Sequence, residues 1–189
     1  MNSDEKHARY EELLRTWSAR VNLIGPEARQ NLEAHIDEAR HTAEILRPAG
    51  RCLDFGSGGG LPAIPIAIDF PEASFWLVEA DQKKWAFLKH VARECALNVR
   101  VLGDRLERLL DENRLEGPFQ LVTSRAVGRP EAWIPTLAGV LAPGARIAIF
   151  ERTQEPPQID GFSTDEIVPL RRGADNYLIT LQQESRVQR

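Results

Sequence analysis

From Arg51 onward the sequence alternates between short apolar runs and segments of helical period, and few chain folds tolerate that rhythm. "RCLDF", "SFWLVEA", "VRVLG", "FQLVTSRA" and "ARIAIFE" read as five strands. The segments between them carry apolar residues at helical spacing, as in "DQKKWAFLKHVARECAL", where Trp85, Leu88, Val91 and Ala92 share one face. The helix after the fourth strand is expected around residues 130–141, and "APG" is expected to turn the chain into the fifth strand. Strand–helix alternation of this kind implies a doubly wound α/β sheet, mostly parallel, with helices on both faces. The last two runs, "DEIVPLRR" and "NYLITLQQ", are joined by "GAD" and predict a C-terminal antiparallel hairpin on that sheet. Upstream, residues 4–20 and 28–47 have helical periodicity, with "RVNLIGPEA" as a turn between them. The expected organisation is a small helical N-terminal cap, 1–49, ahead of the main domain, 50–189, as one compact unit. The polar end "QQESRVQR" is expected to fray.

Composition narrows the function classes. A net charge of −4 argues against a surface coated in phosphate-binding lysines, leaving a local basic patch as the only route to nucleic acid. Cys52 and Cys95 lack metal-ligand spacing and read as core thiols, and the four histidines show no metal pattern either. Ser124 lacks a triad setting. No stretch is apolar enough to span a membrane and the first residues lack a signal-peptide pattern, so the cytoplasm is the expected compartment.

The first strand runs into "DFGSGGGLPAIPIAI". Glycines let the backbone take positive φ and let a ligand approach closely. Pro62 suits a helix start and Pro65 its first turn, where a missing N–H matters little. Amides around Gly60 and Leu61 are then candidates to meet an anion at the carboxyl edge of the sheet. A dinucleotide fingerprint would need glycine at position 61, which is Leu61. The D-x-G-x-G-x-G form, from Asp54 through Gly56, Gly58 and Gly60, instead resembles the first motif of the class I S-adenosylmethionine-dependent methyltransferases, whose fold is Rossmann-like. On that fold Glu79, ending the second strand, would accept hydrogen bonds from a ribose, while Asp81 caps the following helix. Asp104 is a second helix-capping candidate, and Leu106 and Glu107 stand where adenine would meet a backbone amide and an apolar wall.

Four pieces read together sharpen the likeness. "LLRTWSARVNLIG", "EAHIDEA", "DFGSGGGLPAIPIAI" and "LVTSRAV" resemble, in order and spacing, the RsmG (GidB) family of bacterial methyltransferases acting on guanine N7 of 16S ribosomal RNA. The resemblance runs from about Tyr10 to Leu181. It implies S-adenosyl-L-methionine as cofactor, held by Gly56 and Leu61, by Leu106 and Glu107 on the adenine side, and by Arg125 of "SRA". Arg125 has a plainer alternative, pairing with a carboxylate. Asn22 and His35 match polar positions of the N-terminal helices, and His35 is open to either a structural or a substrate role. Arg152 is a further substrate candidate.

The chain departs from the family pattern at Glu151, where the family has a lysine, and at Asn176, where it has arginine or lysine. The aspartate of the family's His-Ile-Leu-Asp-Ser run is Glu38 here. Fewer cations weaken phosphate attraction. Arg152, Arg171 and Arg172 are candidates to compensate, while Lys83, Lys84, Lys89 and Arg93 read mainly as a solvated helix face. Two other readings stay open: the same donor with another acceptor, or a non-catalytic module that senses the cofactor. Because guanine N7 has a lone pair and no proton, the implied reaction needs positioning and no catalytic acid or base. The expected partner is 16S rRNA or the 30S subunit, with neither a membrane nor DNA, and a monomer is expected.

Overall fold

The structure is a computed structural model that describes residues 1–125, 127–170 and 176–184. Helix α1 (Ser3–Ser18) opens on a reciprocal cap: Asn2 Oδ1 accepts the Glu5 amide at 2.9 Å while Glu5 Oε2 accepts that of Asn2. Then come α2 (Pro26–Gln30) and α3 (Leu32–Leu46). The single helix expected over 28–47 is therefore two, broken at Asn31, whose φ of −122° and ψ of 40° are not helical. Pro26 opens α2 at its first turn, but α2 buries none of its residues, so no packing holds it collinear with α3.

The remaining elements follow in the anticipated alternation. They are β1 (Arg51–Phe55), α4 (Ala63–Asp69), β2 (Ser74–Val78), α5 (Gln82–Glu94), β3 (Val99–Leu102), α6 (Leu106–Asp111), β4 (Phe119–Arg125), α7 (Pro130–Trp133), β5 (Leu141–Glu151), β6 (Phe162–Pro169) and β7 (Tyr177–Gln183). Among the described residues they build one seven-stranded sheet in the order β3-β2-β1-β4-β5-β7-β6. Only the β5–β7 and β6–β7 pairings are antiparallel, so the terminal hairpin lies where the sequence put it. The order reverses between β1 and β4, which creates a crevice at their carboxyl ends.

Strand alternation sorts the core into two layers. Cys52, Phe75, Leu77 and Leu121 face one apolar cluster, which also takes in Tyr10 and Leu14 of α1, Leu46 of α3, and Phe87 of α5. Leu53, Trp76, Val78 and Val122 point the other way, toward Leu106, Leu109 and Trp133. The N-terminal helices thus share a continuous core with the sheet.

Two expectations around β5 need correction. Residues 130–141 are not one α-helix: after α7 the chain tightens into a 3₁₀ turn, Ile134–Val140, with Pro135 near its start. Ala142, Pro143 and Gly144 are not a turn before the strand but part of β5 itself. The register shifts between the Phe119–Leu141 and Leu121–Arg146 pairs, and Gly144 at φ +71° absorbs the bulge. Cys52 and Cys95 are buried free thiols, and burial pushes Cys52 up to about 12. Ala126, Arg171, Arg172, the "GAD" turn and the last five residues of the fraying tail lie outside the described residues.

Candidate functional site

The turn after β1 is fastened from several directions. Gly56 and Ser57 donate their amides to the Val78 carbonyl at 2.9 and 3.1 Å, and Gly60 donates to Ser57 at 2.7 Å. The Gly60 amide is therefore engaged within the loop and is not offered to a ligand. Behind the loop, the buried Tyr10 hydroxyl donates to the Gly59 carbonyl at 2.8 Å, tying α1 to the turn. Pro62 caps α4, and Pro65 falls in its first turn as anticipated.

Most of the glycines answer to the protein's own packing. At Gly60, φ is +88° and a Cβ would sit 2.5 Å from Ile64 Cγ1; at Gly56, φ is +72° and a Cβ would meet Val127 Cγ2 at 2.2 Å. A Cβ on Gly59 would lie 2.9 Å from Ile24 Cγ2. Gly58 differs. With φ +54°, a Cβ there would meet nothing nearer than the Leu23 carbonyl at 3.7 Å, an ordinary contact, and the residue borders a space lined also by Gly56 and Gly59.

That space is a cleft of about 550 Å³, within the range of small-molecule sites. Gly56, Gly58, Leu61, Glu79 and Arg125 line it, with His35 and Val127. Glu79 is only 8% exposed; its Oε2 accepts the Gly58 amide and its Oε1 the Asp81 amide, both at 2.8 Å. Ionised carboxylates offer about four acceptor sites, so both oxygens retain capacity toward the cleft. Asp81 caps α5 by accepting from Lys83 and Lys84 amides at 2.9 and 3.0 Å, which lowers its pKa.

Asp54 sits beneath the loop and is 1% exposed. It takes a hydrogen bond from the Thr123 hydroxyl at 2.5 Å and does not line the cleft. Burial drives its pKa up to about 6, against the Thr123 and Ser57 hydroxyls, with Glu79 adding a further push. The Ser124 hydroxyl donates to the Phe55 carbonyl at 3.0 Å.

Arg125, at the end of β4, contacts the buried Glu38 carboxylate at 2.9 Å and His35 Nδ1 at 3.2 Å, with its guanidinium 5.5 Å from the Phe150 ring centre. It pairs with a carboxylate and also reaches the cleft. Together Gly25, Ala28, His35 and Arg125 form a shared wall with a second cleft of about 560 Å³, lined further by Phe150, Glu151, Arg152, Asn176 and Tyr177.

Six predicted residues stay outside the first cleft: Asp54, Gly60, Leu106, Glu107, Asn22 and Arg152. Leu106 takes the first helical position of α6 and is buried in the core, while Glu107 points to solvent. Asp104 accepts the Arg105 amide at 2.9 Å just ahead of that helix. Asn22 is exposed and accepts from Arg29 at 3.1 Å. Arg152, in the second cleft, is exposed and pairs with Glu27 at 3.3 Å. Of the basic helix face, Lys84 lines the first cleft, Lys89 lies over the Trp85 ring at 4.6 Å, and Arg93 pairs with Glu94 at 3.3 Å. Sequence reasoning missed Ile24, Val127 and Tyr10, which close on the loop from distant segments; a Gly-Pro turn after Ile24 was the only local hint. Among the described residues no three His, Cys, Asp or Glu side chains gather to hold a metal. Among the described residues no helix is long and apolar enough to cross a membrane.

Comparison with known proteins adds an independent line. The sequence model of the family described as "GidB: rRNA small subunit methyltransferase G" matches residues 3–164. A "Ribosomal RNA small subunit methyltransferase G" from Paracoccus denitrificans is 44% identical over 108 residues, 56% of this chain and 56% of that protein. Its namesake from Wolinella succinogenes is 33% identical over 169 residues, covering 89% of this chain and 85% of the relative. Thus the chain spans little over half the length of the first relative and most of the second. Among solved structures, cofactor-bound Rv0187 from MTB superposes with a TM-score of 0.69 at 18% identity, over 96% of this chain and 91% of that one. Precorrin-6y C5,15-methyltransferase from Geobacter metallireducens gives 0.59 at 16% identity, over 78% and 87%. These likenesses establish the fold, that of the class I S-adenosylmethionine-dependent methyltransferases.

Proposed function

This chain belongs to the GidB family, rRNA small subunit methyltransferase G, and from that premise we propose that it transfers a methyl group from S-adenosylmethionine to N7 of a guanine in 16S ribosomal RNA. One observation carries the reading at the site. The uncrowded backbone at Gly58 and the Glu79 carboxylate line the same cleft, at the switch in strand order. That arrangement fits a nucleoside whose ribose hydroxyls donate to Glu79 and whose chain lies against bare backbone. Leu61 and Val127 supply apolar wall. Asp54 acts from below: it holds the loop floor through Thr123 and places a titratable carboxyl under the site. Residues 1–49 serve as a cap that pins the loop through Tyr10 and roofs the cleft with Leu23 and Ile24.

When bound, S-adenosylmethionine supplies an electrophilic methyl on a sulfonium. Guanine N7 has an in-plane lone pair and no proton, so this chain need not remove one. Its residues contribute alignment and exclusion of water. Gly58, Leu61 and Glu79 would hold the donor, which would supply its methyl to N7 while the S–CH₃ bonding pair stayed on sulfur and the positive charge passed to the purine. The RNA is the small-subunit rRNA, free or within the 30S particle, and the chain works beside it in the cytoplasm as a monomer. With a net charge of −4, attraction to RNA falls to local groups such as Lys84 and Arg152. Calorimetric titration of the protein with S-adenosylmethionine tests the cofactor half: saturable one-site binding is expected, and no binding at millimolar donor would refute it.

A further inference from the structure

The second cleft is not needed to hold the donor, yet it adjoins the donor cleft across His35 and Arg125. It sits at the carboxyl edge of the sheet, where Arg125 of β4 pairs with Phe150 of β5 and Glu151 of β5 pairs with Tyr177 of β7. Its lining therefore includes the aromatic residues Phe150 and Tyr177, the guanidiniums of Arg125 and Arg152, and the carboxylates of Glu27, Glu38 and Glu151, of which Glu38 is held by Arg125 at 2.9 Å. Arg152 in the same cleft is taken up by Glu27 at 3.3 Å. The Glu151 side chain has no hydrogen-bond or ion-pair partner among the described residues, although it is only partly exposed.

We infer that the second cleft seats the acceptor guanine, with N7 turned toward the donor cleft past Arg125 and the N1–H and N2–H₂ edge received by the Glu151 carboxylate. The inference rests on the reading given under Proposed function. It follows from the shape of the base. N7 and the 2-amino group lie on opposite sides of guanine, so a base presenting N7 to one cleft presents its Watson–Crick edge to the far wall of the other. A flipped base is read there by hydrogen bonds and stacking. Two parallel N–H donors match one carboxylate, as no other base edge does in that pose; adenine places a ring nitrogen acceptor at N1. Phe150 and Tyr177 supply aromatic surface to the lining, and the Arg125 guanidinium lies over the Phe150 ring. Burial and the nearby Glu131 raise the Glu151 pKa, in keeping with a carboxylate that lacks a cation of its own. Transfer leaves a positive charge on the purine and makes N1–H a stronger donor. The Glu151 contact therefore tightens toward the transition state and acts on kcat more than on KM.

The test compares wild type with Glu151→Gln, which keeps size but loses the charge, and with Glu151→Asp, which keeps the charge. Three readouts are taken: S-adenosylhomocysteine affinity, methylation of 30S subunits lacking the modification, and binding of GMP against IMP, which lacks the 2-amino group, in the presence of S-adenosylhomocysteine. The inference expects E151Q to keep cofactor affinity within about twofold. Its kcat/KM should fall about ten- to a hundredfold, chiefly in kcat, and its preference for GMP over IMP should vanish. E151D should retain that preference. The inference is overturned, with the methyltransferase reading intact, if wild type modifies the subunit and E151Q does so equally well, or if wild type binds GMP and IMP alike. If wild type neither binds the cofactor nor modifies the subunit, the underlying reading falls and this inference with it.

Discussion

Replacing Asp54 by asparagine should make the protein more stable at neutral pH and erase part of its pH dependence. The carboxyl is fully buried, and its pKa stands at about 6 against an ordinary 3.8. A raised acid pKa means that the native state holds the proton more tightly than the unfolded chain. Below about pH 4 both states are protonated and the residue is neutral in the balance. Between about 4 and 6 only the native state keeps the proton, so stability declines as pH rises. Above about 6 both are ionised and the penalty is constant. A shift of about two units corresponds to roughly 3 kcal/mol as an order of magnitude. Asparagine keeps the size and can still accept from Thr123. Urea unfolding of both proteins from pH 4.5 to 7.5 should give a stability difference, variant minus wild type, that grows by about 2 kcal/mol and then levels off. Taking the difference cancels other titrating groups. A difference that stays flat across the range would refute the argument. Retention of so unfavourable a carboxylate beneath the loop implies a use, and D54N should also weaken S-adenosylmethionine binding.

Three further substitutions probe the loop and its supports. Gly60→Ala places a Cβ 2.5 Å from Ile64 at φ +88°, and thermal unfolding should show a loss of about 1–3 kcal/mol with weaker cofactor binding. Glu79→Ala removes the acceptor of the Gly58 and Asp81 amides as well as the proposed ribose contact; calorimetry should register at least a tenfold, and up to about hundredfold, loss of cofactor affinity. Tyr10→Phe leaves the buried Gly59 carbonyl without its 2.8 Å donor, so chemical denaturation should report a loss of about 1–2 kcal/mol. An unchanged midpoint there would mean that α1 does not brace the turn.

The sheet and its hairpin were legible because each strand alternates and each helix repeats on its own segment. β1 and β7 fall within a residue of their expected bounds. What failed depends on partners distant in the chain. The "APG" run looks like a turn in isolation, but pairing with β4 draws it into β5 and the misfit is taken up at Gly144. Asn31 breaks a helix that periodicity alone would continue, since nothing packs on α2. From sequence, the glycine cluster suits both positive φ and the close approach of a ligand. Val127, Ile24 and Ile64 press on three of those positions, and Gly58 is the uncrowded one among the three, with Gly56 and Gly59, that line the cleft. Glu79 was placed correctly beside the loop because strand ends on this topology converge there. Asp54 and Leu106 were assigned from motif position, which does not reveal that both point into the protein.

The central claim is methyl transfer to guanine N7 in the small-subunit RNA. It is tested most directly by incubating the purified protein and labelled S-adenosylmethionine with 30S subunits from a host lacking the gene, then cleaving the 16S RNA chemically at N7-methylguanosine. The account predicts label in 16S RNA and a new scission at one guanine, abolished in Glu79→Ala. Label confined to protein or a small molecule, with no new scission, would contradict it.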